Sequence, residues 1–243
     1  RVIVVATSPR VGAVHSRTTD PIVWIDCEMT GLSLSDDALI EVAVIVTDST
    51  LKPLAEGIDL VIAPPPGAVE QMNDVVRHMH TSSGLLEELA DGLTMAEATE
   101  QILAYIKKYV PDPGRAPLAG NSVGTDRAFL ARDMPEVVDY LHYRIIDVSS
   151  IKELARRWYP RAYFNSPKKN GGHRALADIA ESIDELRYYK AALFPDGDGP
   201  DTRSLRERSA SVSADPTPAV AGESSPVSDV SLDADVGAGT PAP

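Results

Sequence analysis

Apolar positions in the first quarter of the chain run at strand spacing. Pro21 to Glu28 is rich in Ile, Val and Trp, Ala38 to Thr47 is nearly continuous and apolar except for Glu41, and Leu54 to Ala63 forms a third run. No helical pattern separates them, which predicts an antiparallel meander. The period then changes. Thr94-x-x-Glu97 is a capping box that opens a helix to about Val110. Ala116 to Gly120 reads as a short strand, 124–133 as a helix, Arg144 to Val148 as a strand, and about Ser149 to Trp158 as a helix. A last helix runs from near Arg174 to near Leu193, with Leu176, Ile179, Ala180, Ile183 and Leu186 at helical spacing. The order βββαβαβα predicts an α/β domain, a mixed β-sheet flanked by helices.

Composition limits how much of the chain this domain takes up. Of 243 residues, 43% are hydrophobic and 5% aromatic, a deficit that points to a part that does not pack. Residues 196–243 hold eight Ser, six Pro and five Gly, no aromatic residue, and nine acidic against three basic residues. Such a segment buries too little apolar surface to offset its ordering entropy, so a disordered acidic tail is expected. Residues 1–20 read as a loosely ordered N-terminal extension, which leaves 21–195 as the folded domain. No apolar run is long enough for a membrane span or a good signal peptide. The single cysteine, Cys27, excludes a disulfide framework or a multi-thiolate zinc site, and suggests a reducing, cytoplasmic setting. Cys27 itself reads as a small core residue.

The net charge of −13 argues against a protein that coats DNA non-specifically. A nuclease that binds divalent metal through carboxylates brings its positive charge as the ion, so local distribution matters more. Asp26 and Glu28 are two apart on a strand and share the face of Ile22 and Trp24. Two carboxylates converging there must be protonated, paired or metal-bound, unless the strand has already reached solvent. Asp126 either caps a helix start or projects into a site at the sheet edge. Asp178, near the start of the last helix, lies away from the Leu176/Ile183 stripe by helical projection and taken alone reads as a solvated residue favoured by the helix dipole. His173 follows Asn170-Gly171-Gly172, where a histidine can serve as a proton carrier near neutral pH, and taken alone it reads as an ordinary surface residue. Residues 151–174 carry seven basic residues against Glu153 alone, interleaved with Trp158, Tyr159, Tyr163 and Phe164. That stretch reads either as a surface for phosphate attraction and base stacking or as a solvated face.

Together these residues form a specific set. Asp26-Cys27-Glu28-Met29-Thr30-Gly31-Leu32, Gly120-Asn121-Ser122 with Asp126, and His173-Arg174-Ala175-Leu176-Ala177-Asp178 resemble the motifs of the DEDDh 3′→5′ exonucleases. Within them the chain is most similar to the oligoribonuclease family, over about residues 21–194. The resemblance implies a ribonuclease H-like fold, two Mg²⁺ or Mn²⁺ ions per site, and a homodimer. It implies Asp26, Glu28, Asp126 and Asp178 as metal ligands and His173 as the general base. Leu32 would wedge against the bases and His80 would contact the substrate. Ser122, Arg144 and Ser149 would hold the 5′ phosphate of a dinucleotide, and Tyr143 would reach it from the partner subunit. Val75 departs from the pattern, standing where relatives often carry Trp.

The expected activity is a two-metal 3′→5′ exoribonuclease that degrades short single-stranded RNA, dinucleotides above all, to nucleoside 5′-monophosphates. The alternatives are a related exonuclease acting on DNA or tRNA ends, and a catalytically silent nucleic-acid-binding module. Gly-x-x-x-x-Gly-Lys, His-Glu-x-x-His and Gly-x-Ser-x-Gly are all missing from the chain.

Overall fold

The computed structural model describes residues 20–168, 172 and 174–214. Five strands form one sheet: β1 (Ile22–Met29), β2 (Leu39–Thr47), β3 (Ile58–Val61), β4 (Pro117–Gly120) and β5 (His142–Asp147). Their order across the sheet is β3-β2-β1-β4-β5. The first three pair antiparallel, as their unbroken succession predicts, whereas β4 and β5 join parallel after helical crossovers. The mixed sheet flanked by helices is therefore as expected. β3 is shorter than the apolar run that suggested it, because the chain from Lys52 to Gly57 turns first: Leu54 N donates to Val46 O and a single bridge joins Thr47 to Pro53.

Helices cover both faces. Between β3 and β4 lie α1 (Asp74–Ser82), α2 (Leu85–Glu88) and α3 (Met95–Tyr109), and the capping box at the start of α3 forms as read, with Glu97 N donating to Thr94 Oγ1 over 3.3 Å. α4 (Gly124–Asp133) and α5 (Pro135–Tyr140) separate β4 from β5, and α6 (Val148–Trp158), α7 (Pro160–Phe164) and α8 (Ala175–Leu193) follow. The period-2 alternation of β1 divides the core. Val23, Ile25 and Cys27 pack against Ala98, Ile102 and Ile106 of α3, so Cys27 is a core residue. Ile22 and Trp24 pack on the opposite face against Ile179, Ile183 and Leu186 of α8. Each such aliphatic side chain contributes about 1.5–3 kcal/mol on burial, enough to fix α8 across the face that also carries Asp26 and Glu28.

The chain divides into two units, residues 1–196 and 197–243. Within the segment 196–243, Thr202–Ala214 forms a helix, α9. Its supports are local: Asp201 Oδ1 accepts from the amides of Arg203 and Ser204, and Arg203 pairs with Glu207 four residues on. No residue of α9 is buried. A side-chain cap and an i,i+4 ion pair are the local devices that support a short polar helix. The proposed N-terminal extension lies outside the described residues except for Asp20, and so does the segment after Ala214.

Candidate active site

The strand period delivers Asp26 and Glu28 to one face, and α8 delivers Asp178 to meet them. One oxygen from each of these three carboxylates lies within 4.8 Å of the other two. Glu28 is only 8% exposed, while Asp26 and Asp178 are half-buried. Burial, followed by the charges of Glu41, Asp178 and Asp126, pushes the Glu28 carboxyl up to about 8, and Arg174 counteracts this in part. Three converging carboxylates, one of them driven toward its neutral form, make a donor set that suits a hard divalent cation such as Mg²⁺ or Mn²⁺.

Asp126 stands apart from that trio. It lies in the first turn of α4, buried, and its Oδ1 accepts the amide of Cys27 over 3.0 Å. The β1–β4 pairing spans only Val23↔Leu118 and Trp24↔Ala119, so beyond it the Asp126 carboxylate takes over a strand amide near the end of β1. Crevices at the ends of parallel strands are where α/β folds place their sites. Burial raises this carboxyl to about 6, and its backbone hydrogen bonds pull it down. His173 lies outside the described residues.

The loop after β1 explains the rest of its motif. Thr30 Oγ1 donates to Asp37 Oδ1, Asp37 Oδ2 accepts the amide of Ser33, and Thr30 Oγ1 accepts the amide of Ala38. A Cβ on Gly31 would come within 2.4 Å of Asp37 Oδ2, so this close approach favours glycine. The tight loop leaves Leu32 77% exposed, four residues past Glu28.

His80, expected as a substrate contact, lies in α1 with its ring toward Glu28 and the Met29 carbonyl. It is 0% exposed and sits behind Glu28. Its Nε2 lies 2.9 Å from Met29 O; a carbonyl only accepts, so Nε2 carries the hydrogen. Its Nδ1 is 3.9 Å from Glu28 Oε2 and has no hydrogen-bond partner. Val75, on the same helix, is exposed.

Ser122 and Ser149 come together at the ends of β4 and β5. Ser122 N donates to Asp147 Oδ1 and Ser149 Oγ, both at 3.0 Å, and the two hydroxyls are 3.2 Å apart. Asp147 also caps α6 through Ser149 N. Behind them Asn121 accepts from Ser149 Oγ and donates to Ser182 and Glu185, and Glu185 pairs with Lys152. The Asp147 carboxylate thus holds the amides at this helix start, and the Ser149 hydroxyl hydrogen goes to Asn121. Tyr143 is 72% exposed on edge strand β5, with the Arg144 guanidinium 5.2 Å from its ring centroid.

The basic 151–174 stretch is partly neutralised. Lys152, Arg156, Arg157 and Arg174 pair with Glu185, Glu153, Glu153 and Glu41 in turn. Trp158, Tyr159 and Phe164 remain exposed beside those pairs. Sequence reasoning missed Glu41, Arg174, Asn121, Asp147 and Glu185 as structural partners. For Glu41 a signal existed: it is the one charge in an otherwise apolar strand.

Residues 23–186, which include every proposed metal ligand and His173, match the RNase_T exonuclease family. The chain is 67% identical over 199 residues to an oligoribonuclease of Streptomyces griseus, covering 82% of this chain and 99% of that relative. It is 61% identical over 186 residues to an oligoribonuclease of Cutibacterium acnes, covering 76% and 92%. Among solved structures, zinc-bound Escherichia coli exonuclease I with single-stranded DNA shares the fold, with a TM-score of 0.54 at 16% identity over 72% of this chain. The chain spans about two-fifths of that nuclease, 41%.

Proposed function

Because the chain belongs to the exonuclease family and, within it, to the oligoribonucleases, we propose a metal-dependent 3′→5′ exoribonuclease that converts short oligoribonucleotides, dinucleotides above all, to nucleoside 5′-monophosphates. The observation that carries this reading is the meeting of Asp26, Glu28 and Asp178 within 4.8 Å, from a strand and a distant helix.

Asp26, Glu28 and Asp178 would hold divalent metal, and Asp126, beside the Cys27 amide, would complete a two-ion site. Bound there, two Mg²⁺ or Mn²⁺ ions would supply polarisation of the attacking water and neutralisation of charge on the leaving 3′ oxygen. His173 would take the proton from that water as neutral imidazole. Leu32, exposed on its rigid loop, would stack against a base. Ser122 and Ser149 would turn their hydroxyls to the 5′ phosphate, Ser149 exchanging its bond to Asn121 for one to the phosphate, with Arg144 adding charge. Holding that phosphate caps the 5′ end and disfavours longer RNA by sterics. Tyr143, exposed on the edge strand, is available to a second subunit, which supports a homodimer. A cytoplasmic setting is supported by the single, buried cysteine. Among the described residues no helix is long and apolar enough to cross a membrane.

The test is chromatography of a 5′-phosphorylated diribonucleotide and a seven-mer, each incubated with Mn²⁺ or EDTA. Metal-dependent conversion of the dinucleotide to monophosphates, faster than trimming of the seven-mer, is expected. Fast trimming of the seven-mer with a stalled dinucleotide would move the chain to another branch of the exonucleases. No cleavage of either would leave a binding module.

A further inference from the structure

Glu41 is a buried carboxylate whose surroundings explain its presence only in part. It is 0% exposed in the middle of β2, a strand buried along its whole length and otherwise apolar up to Thr47. Burying a carboxylate is costly unless it is paired and hydrogen-bonded, and an apolar residue there would pack at no such cost. Both Glu41 oxygens are used, and both go to the start of α8. Oε1 accepts from Arg174 Nε at 2.7 Å, and Oε2 accepts from the Ala175 amide at 3.1 Å. Arg174 has no side-chain cap of its own to offer the helix, so a residue 134 positions earlier in the chain supplies it.

The other edge of Arg174 is held as well. Its two terminal nitrogens reach both oxygens of Glu88 in α2, at 2.7 and 3.1 Å, and Asp59 of β3 lies 3.9 Å away. Such a paired fork fixes direction as well as distance. Three elements, β2, β3 and α2, thus grip one guanidinium and one amide. That grip sits beside the carboxylate cluster. Glu41 is the direct cross-strand partner of Glu28, so their side chains share a face. Asp178 is one helical turn from the grip, its amide bonded to Arg174 O at 3.0 Å.

We propose that Glu41 is a positioning residue of the hydrolytic site: by clamping Arg174 and the Ala175 amide it sets where α8 begins, and thereby where Asp178 meets Asp26 and Glu28. This rests on the reading of that cluster as the hydrolytic site. Partners behind metal-holding side chains commonly change metal affinity or activity by about 10–100-fold when lost.

The experiment compares the full chain with Glu41→Gln, which keeps shape but turns one acceptor into a donor. Three readouts are taken: Mn²⁺ affinity by electron paramagnetic resonance, hydrogen exchange along α8, and kcat and KM on a diribonucleotide. Mn²⁺ affinity and kcat are expected to fall about tenfold or more while KM stays within about threefold. Exchange is expected to rise at the start of α8 and not in its second half. A folded Glu41→Gln with wild-type Mn²⁺ affinity and kcat overturns the proposal. Should Glu41→Gln fail to fold, Glu88→Gln, which loosens only the outer fork on exposed groups, is expected to show the same split at smaller size, about threefold. Wild-type values there overturn it. A wild type that leaves the dinucleotide intact overturns the functional reading instead, and Mn²⁺ affinity and exchange still decide the role of Glu41.

Discussion

The amide of Cys27 donates to Oδ1 of Asp126 over 3.0 Å, tying the end of β1 to the first turn of α4. Asp126 therefore has a structural task as well as the proposed metal-binding one, and two substitutions separate them. Asp126→Asn keeps an oxygen for the Cys27 amide and loses the charge. Asp126→Ala orphans a buried donor, at a cost of about 1–3 kcal/mol. Urea unfolding should place Asn within about 1 kcal/mol of wild type and Ala below it, with dinucleotide turnover lost in both. An active Asp126→Asn would remove this residue from the metal set.

Stability in EDTA should fall with rising pH. Burial and neighbouring carboxylates raise Glu28 to about 8, and burial raises Asp126 to about 6. Both are above the ordinary carboxylate range, so the folded chain keeps protons that the unfolded chain releases. The stability this provides is full at and below about pH 4, and is lost as pH rises through those two values. Thermal unfolding in EDTA should show the melting temperature declining up to about pH 8, less steeply in Glu28→Gln, with Mn²⁺ restoring it at the upper end. A flat profile in EDTA would contradict the crowding of these carboxylates.

Leu32→Ala tests the exposed loop residue. The side chain is 77% exposed, so the folded state loses little, within about 0.5 kcal/mol. Contact with a base would be lost, on the order of 1 kcal/mol, which raises KM for a diribonucleotide several-fold. An unchanged KM would take Leu32 out of the binding site.

His80→Ala should behave in the opposite way. Its Nε2–H donates to the Met29 carbonyl from a fully buried position behind Glu28. Removing the ring leaves a cavity and an unpaired carbonyl, at a cost of about 2–4 kcal/mol. Denaturant unfolding measures this directly. Weaker substrate binding with wild-type stability would show that His80 leaves this position to touch RNA.

Much of this arrangement was legible in the chain because it follows local periods. Asp26 and Glu28 share a face by strand alternation, and the Thr94 capping box marks the start of α3 without ambiguity. The sheet was legible because three apolar runs without intervening helices leave few pairings open. What escaped is non-local. Nothing near Glu41 says that its partners are Arg174 and Ala175, more than 130 positions away. The burial of His80 depends on how α1 docks behind β1, and α1 itself was overlooked although Asn73 caps it by accepting the Val76 amide at 3.0 Å. Asp178 was legible through its motif, whereas helical projection alone made it a solvated residue. Only the packing of Ile179 and Ile183 against the sheet turns it inward.

In the proposed site Asp26, Glu28 and Asp178 together hold the metal on which cleavage depends. The most direct test of this is a Mn²⁺ titration of wild type and Asp178→Asn by electron paramagnetic resonance, on samples whose fold is verified by circular dichroism. Wild type is expected to bind Mn²⁺, and Asp178→Asn to lose about tenfold or more in affinity, together with dinucleotide turnover. A folded Asp178→Asn that binds Mn²⁺ as wild type does would contradict this assignment.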